Sequence, residues 1–218
     1  MRLLCLALFT VPACADEDGE GQDDAHSDEG HGHDHDGETE IISKVELTFT
    51  PDGGGAAVVA SFTDPDGDGG VSGVSERIEL SVGTQYVLGV RLLNELEDPA
   101  EDITEEVREE AEDHLFLIAG EGVQGPASAS TGALVSHTYD DLESDYGDNA
   151  VGEDLPVGLS SIVVANAAGE SKLRVILRHL PELNGTPQKR AGLPEGFANG
   201  DSLPGDVDVD VTFVLSVE

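Results

Sequence analysis

Glu106, Glu110 and His114 recur at intervals of four in an acidic stretch. On a helix that spacing places all three side chains on one face. Carboxylate oxygen and imidazole nitrogen together suit a borderline divalent ion such as zinc or copper, while a solvated helix face accounts for the same stripe without an ion. A second donor set lies near the N-terminus, where residues 30–36 read GHGHDHD. Alternate spacing on a flexible chain lets His31, His33 and His35 converge on one ion, and a polar spacer is the competing account. A third set is Asp64, Asp66 and Asp68 with Gly67 and Gly69, which matches the opening of an EF-hand-type calcium loop. The match stops at Ser75, which stands where the closing glutamate belongs, with Glu76 one residue late; the alternative is a solvated acidic turn.

Two further histidines fall on the inward faces of predicted strands. His179 continues the parity of Leu173, Val175 and Leu177, and His137 shares that of Val135 and Tyr139. A histidine there is either a hydrogen-bonded core residue or a ligand. A metal or haem site in the domain becomes credible where His114 meets His179 or His137 in space.

The elements that must bring these residues together are mostly strands. Strand-like runs over residues 43–50, 56–62, 76–82, 84–93, 115–119, 133–139, 160–165, 171–179 and 206–217, several of them alternating with period two, predict about nine strands, separated by Gly, Asp and Pro turns. The last run is the most regular, with Val207, Val209, Val211, Phe213, Leu215 and Val217 on the inward face. Residues 95–116 supply the one helical signal: Pro99 before the start, Asp102 or Thr104 as cap, Glu105 and Glu106 in the first turn, and Ile103, Val107 and Ala111 facing inward. Residues 140–153 and 181–204 read as loops. The expected fold is mainly β, an antiparallel β-sandwich of immunoglobulin-like or jelly-roll type with one short acidic helix, over residues 41–218.

The formal charge is -36, from 46 acidic against 10 basic side chains, and the lysines are Lys44, Lys172 and Lys189. Such a surface repels nucleic acid and anionic membrane faces and gathers cations; work in high salt is a second account of the same charge. Both cysteines, Cys5 and Cys14, precede residue 15, so the domain has no thiol for a disulfide, a zinc-thiolate site or a nucleophile. Met1-Arg2 and the apolar run Leu3 to Val11 predict a signal peptide over residues 1–13. Val11-Pro12-Ala13-Cys14 resembles a bacterial lipobox, with Pro12 as a departure, which implies lipidation at Cys14; a plain signal peptide is the alternative. Residues 14–40 carry a dense acidic and histidine-rich composition that cannot bury a core, and so predict a disordered tether. By that resemblance Ala15 points to the outer membrane, facing the periplasm or the exterior.

Residues 99–107, PAEDITEEV, running on to Glu112-Asp113-His114-Leu115-Phe116, resemble the signature of small bacterial lipoproteins catalogued as "type 1 periplasmic binding fold superfamily" proteins. Leu47-Thr48-Phe49-Thr50-Pro51, Asp64-Pro65-Asp66-Gly67-Asp68-Gly69-Gly70, Leu177-Arg178-His179-Leu180-Pro181 and Asp206-Val207-Asp208-Val209 extend the likeness over most of residues 41–218. The label implies a two-lobed α/β fold, whereas the periodicity predicts a β-sandwich.

Neither a serine elbow, a phosphate-binding glycine loop nor zincin spacing occurs in the chain, so the expectation is a non-enzyme. Two functions fit. One is a tethered extracytoplasmic lipoprotein that binds or buffers zinc, copper or calcium through the tail and the Glu106, Glu110, His114 face. The other is an interaction module that docks on an outer-membrane transporter or another surface protein through its acidic helix and loops.

Overall fold

The period-two runs fold as strands because alternate side chains then share one face and can be buried together. A computed structural model describes residues 41–67, 73–148 and 152–218. The predicted signal peptide, Cys14, the tail histidines His31, His33 and His35, and Asp68 lie outside these residues. The elements in order are β1 Lys44–Pro51, β2 Val58–Thr63, β3 Val74–Ser75, β4 Ile78–Leu80, β5 Gln85–Leu93, α1 Ile103–Glu109, β6 His114–Ala119, β7 Val123–Gly125, β8 Ser128–Ala129, β9 Val135–Tyr139, a 3-10 turn Glu143–Tyr146, β10 Ser160–Ala165, β11 Gly169–His179, α2 Leu193–Ala198 and β12 Asp206–Val217.

The strands form two sheets. One has the order β3-β2-β1-β5-β10-β9-β7-β8 and the other β4-β12-β11-β6. Phe49 and Leu88 from the first sheet meet Phe116 and Phe213 from the second in a single core, and all four are fully buried. Each such side chain contributes about 1.5–3 kcal/mol of transfer free energy. The fold is therefore the mainly β sandwich that the alternation predicts, and not the two-lobed α/β architecture implied by the family label.

Three features differ from expectation. The sheets are mixed rather than purely antiparallel, because β4 lies parallel to β12 (Leu215 opposite Ile78) and β7 parallel to β9 (Val123 opposite Val135). The helix covers only Ile103–Glu109 within the acidic stretch. Asp102 caps it by accepting from the Thr104 amide at 3.2 Å, while the Thr104 hydroxyl instead satisfies the buried backbone of Leu92. Finally, α2 occupies part of a predicted loop. Gly192 enters it in the left-handed conformation and Pro194 starts its first turn, a combination that carries no amphipathic period.

α2 explains why β6 is buried along its whole length. On one face Phe116 and Ile118 join the central core. On the other, Leu115, Leu117, Ile176 and Leu180 are covered by Leu193, Phe197 and Leu203. The second sheet is thus dry on both sides around the strands that carry His114 and His179.

Candidate metal centre

His114 opens β6 and His179 closes β11, and the antiparallel register sets them directly opposite each other. Their rings stack with centroids 4.8 Å apart and planes within 8° of parallel. Glu110 completes the group: one donor atom from each of Glu110, His114 and His179 lies within 4.8 Å of the other two. Parity places both histidines at the rim of the inward face, where the turn after α1 passes over them.

That turn delivers Glu110 by a route other than the predicted one. The helix stops at Glu109, Glu110 is its C-cap with φ -112° and ψ 41°, and the Asp113 amide donates back to the Glu110 carbonyl at 2.9 Å. Glu110 and His114 therefore meet across a turn, not along a helical stripe. Glu106, one helical turn earlier, is not in the convergent group.

His114 is fully buried. Its Nδ1 lies 3.0 Å from the Glu110 carbonyl oxygen; a carbonyl can only accept, so Nδ1 carries the proton and Nε2 presents a lone pair. Nε2 is itself buried and has no hydrogen-bond partner. Burial pushes the imidazole from its ordinary 6.5 down to about 4, against the opposing pull of the Glu110 carbonyl, with the nearby charge of His179 lowering it further. At neutral pH His114 is thus an uncharged imidazole with its tautomer fixed by the backbone, the condition in which a histidine can bind a metal.

The surroundings are electronegative. Burial and then the Glu112 charge raise the Asp113 carboxyl above its usual range, while His179 and Lys189 oppose them. Beneath the turn, Lys189 Nζ donates to Glu143 Oε1 at 2.8 Å and to the Ala111 carbonyl at 2.7 Å, and both partners of the ion pair are 2% exposed. Lys189 thereby ties the segment after β11 to the turn that holds Glu110 and His114.

No family model, curated protein or solved structure matches this chain. The chemistry of the site is accordingly read from its own atoms.

The other predicted donors are placed elsewhere. His137 is a core residue: its Nε2 lies 3.0 Å from Ser161 Oγ on the neighbouring strand, and its ring meets Tyr139 edge-on at 5.0 Å. Among the described residues, Asp64 and Asp66 belong to no group of three converging donors, and Asp64 is fully buried with its amide donating to Ser43. Several carboxylates with buried atoms escaped the sequence reading. Asp141 and Glu143 were hidden in a predicted loop. Asp208 was assigned outward by strict alternation, yet its Oδ2 is buried and Val207 is 49% exposed. The register shift pairs Val207 with Arg178 and leaves Asp208 without a residue opposite it, and no periodic signal in the sequence marks it.

Proposed function

We propose that this chain binds a divalent transition ion, zinc or copper, through Glu110, His114 and His179. In this proposal it is a lipoprotein tethered at Cys14 outside the cytoplasm, acting as a metal-binding or buffering protein. The observation that carries the reading is the Nε2 lone pair of His114, fully buried, unpartnered and stacked against a second imidazole beside a carboxylate. A buried polar atom without a partner costs about 1–3 kcal/mol, and a metal ion removes that cost.

The donor set decides the class of ion. Two nitrogens and one oxygen match zinc or copper, whereas calcium takes oxygen ligands throughout. Three protein ligands leave room for a water or an exchangeable group, as a buffer that must release its ion requires. The spacing is near what an ion needs: three atoms that all lie within 4.8 Å of one another share a point no more than about 2.8 Å from each, against zinc–nitrogen bonds of about 2.0–2.1 Å. Closing that gap asks for movement of well under 1 Å at each ligand, which Glu110 and His179, both only partly buried, can supply.

Calorimetric titration with zinc tests the reading on three full-length chains: the unaltered protein, one with His26, His31, His33 and His35 replaced by alanine, and that variant with His114→Ala added. The expected result is binding well below about millimolar that survives the tail substitutions and disappears with His114→Ala. Loss of all binding with the tail substitutions alone would refute the site.

A further inference from the structure

Three segments close on a small cavity beside the turn after α1. Glu112 and Asp113 come from that turn, Glu143 opens the 3-10 turn, and Glu182 and Lys189 lie in the stretch between β11 and α2. Backbone bonds hold the segments in place: the Leu180 amide donates to the Asp113 carbonyl at 2.6 Å and the Glu143 amide to the Leu155 carbonyl at 2.9 Å. The stretch carrying Glu182 is fastened as well, because Leu183 and Thr186 exchange backbone bonds and Gln188 Nε2 donates to the Pro181 carbonyl at 2.6 Å. The cavity has a volume of about 110 Å³, several times what one water molecule needs.

Four carboxylates thus share this cavity with one ammonium, which is already engaged. Lys189 Nζ donates to Glu143 Oε1 and to the Ala111 carbonyl. Two carboxylate oxygens remain buried without a partner: Glu143 Oε2, on a side chain 2% exposed, and Glu112 Oε2. A buried ionised oxygen without a donor is unfavourable for the fold taken alone. Acidity by itself says little in a chain of net charge -36. Two orphaned acceptors lining one cavity say more, because they call for a ligand that brings both donors and positive charge.

The arrangement also selects among cations. Among the described residues, the donors that converge as a metal ion requires are Glu110, His114 and His179, and the cavity carboxylates form no such group. A guanidinium differs from a bare ion. Its five N–H donors point outward along the edges of a plane and so reach carboxylates on opposite sides. It is also weakly hydrated and tolerates apolar contact, which Leu155 and Pro187 supply in the cavity wall.

We propose that this cavity is a guanidinium-binding site, with Glu112 and Glu143 accepting through their unpartnered Oε2 atoms and the exposed Glu182 adding attraction. The ligand is an arginine-like group on a flexible stem, carried by a free small molecule or by an arginine side chain of a partner protein. The site does not depend on the metal reading, since neither Glu112 nor Glu143 is a proposed metal ligand.

The test is a nuclear magnetic resonance titration of the nitrogen-15-labelled full-length chain at about 0.15 M salt, which screens diffuse attraction. Ethylguanidinium is the first probe, with a capped Gly-Arg-Gly peptide, tetramethylammonium and calcium as comparisons. Ethylguanidinium should give saturable shifts at the amides of residues 112–113, 143–144 and 189. Tetramethylammonium, which has no donor, should not. Glu112→Gln should weaken the binding about tenfold or more, while Glu97→Gln, which removes an exposed carboxylate outside the cavity, should leave it unchanged. The urea midpoint of Glu112→Gln without ligand should be unchanged or higher, because the oxygen it loses has no partner. Tighter binding of the peptide than of ethylguanidinium would support the site with a partner's arginine as its ligand; equal or weaker binding would support it with a free small molecule. Shifts that do not saturate, or equal losses in Glu112→Gln and Glu97→Gln, would overturn the proposal and leave a water-filled acidic cavity. Calcium moving the same amides at lower concentration would also overturn it, as would a lowered urea midpoint that accounts for the lost binding in Glu112→Gln.

Discussion

His114 and His179, 65 positions apart in the chain, face each other across neighbouring antiparallel strands with their rings 4.8 Å apart. The pairing brings together two imidazole nitrogen donors at a rim of the sandwich where the turn after α1 supplies a carboxylate. The proposed function depends on it, and it leads to separable expectations for each of the three proposed ligands.

His114→Ala and His179→Ala should each lower zinc affinity by about 100-fold or more, which is about 2.7 kcal/mol of binding. Glu110→Gln, which keeps the turn and the backbone carbonyl that holds His114, should cost less, about tenfold. Titration of the three variants in the chain lacking tail histidines checks the order. Equal affinities in all three would mean that zinc is held elsewhere.

Gly205 supports the same rim from below. It adopts φ +69°, and a Cβ there would run into the His179 carbonyl and approach Leu180 Cδ2 to 2.9 Å. Gly205→Ala combines the strain of a left-handed alanine with a backbone collision, so it should destabilise the fold by about 1–3 kcal/mol. Zinc affinity should fall with it. Urea denaturation and zinc titration of the same sample test both.

The Lys189–Glu143 pair is buried on both sides, so breaking it should be far worse than deleting it. Lys189→Met leaves a carboxylate in a dry site and should cost about 3–5 kcal/mol; adding Glu143→Leu should restore most of that. Chemical denaturation of the single and double variants, read as a cycle, tests the coupling.

His137 gives the fold a sensitivity to acid that is separate from the metal centre. Burial lowers it from 6.5 to about 4, so the unfolded chain takes up this proton first as pH falls. The sign follows: the contribution is complete above 6.5 and is lost as pH drops toward 4. Between pH 7.5 and 5 it amounts to about 2 kcal/mol. In metal-free protein, His137→Asn should reduce the difference in unfolding free energy between those two pH values by that amount. An unchanged difference would mean that His137 titrates normally.

Much of the fold is legible from alternation alone. Each of the nine runs contains a strand, because a half-buried strand alternates to hide one face, while β6, buried on both faces, reads as a short continuous apolar run. What escapes is too short or too local to carry a period. Val74–Ser75, Val123–Gly125 and Ser128–Ala129 are strands of two or three residues, and α2 contains a proline and a glycine among its six residues. The acidic helix is read too long because the carboxylates continue through its C-cap into the turn, and composition does not register where the backbone leaves the helical region. At the site, parity places His179 on the inward face but leaves its neighbour open, since the neighbour depends on the register between β6 and β11. Val207 is misassigned for a related reason: Asp206-Val207-Asp208-Val209 alternates without a break in the sequence, while the ladder shifts register beneath it and pairs Val207 with Arg178.

The most direct test of the metal centre is zinc K-edge X-ray absorption on the full-length chain with His26, His31, His33 and His35 replaced by alanine. A first shell at about 2.0–2.1 Å with outer-shell scattering from two imidazoles, reduced to one by His179→Ala, is the predicted result. An oxygen-only shell without imidazole scattering would contradict the assignment of Glu110, His114 and His179 as its ligands.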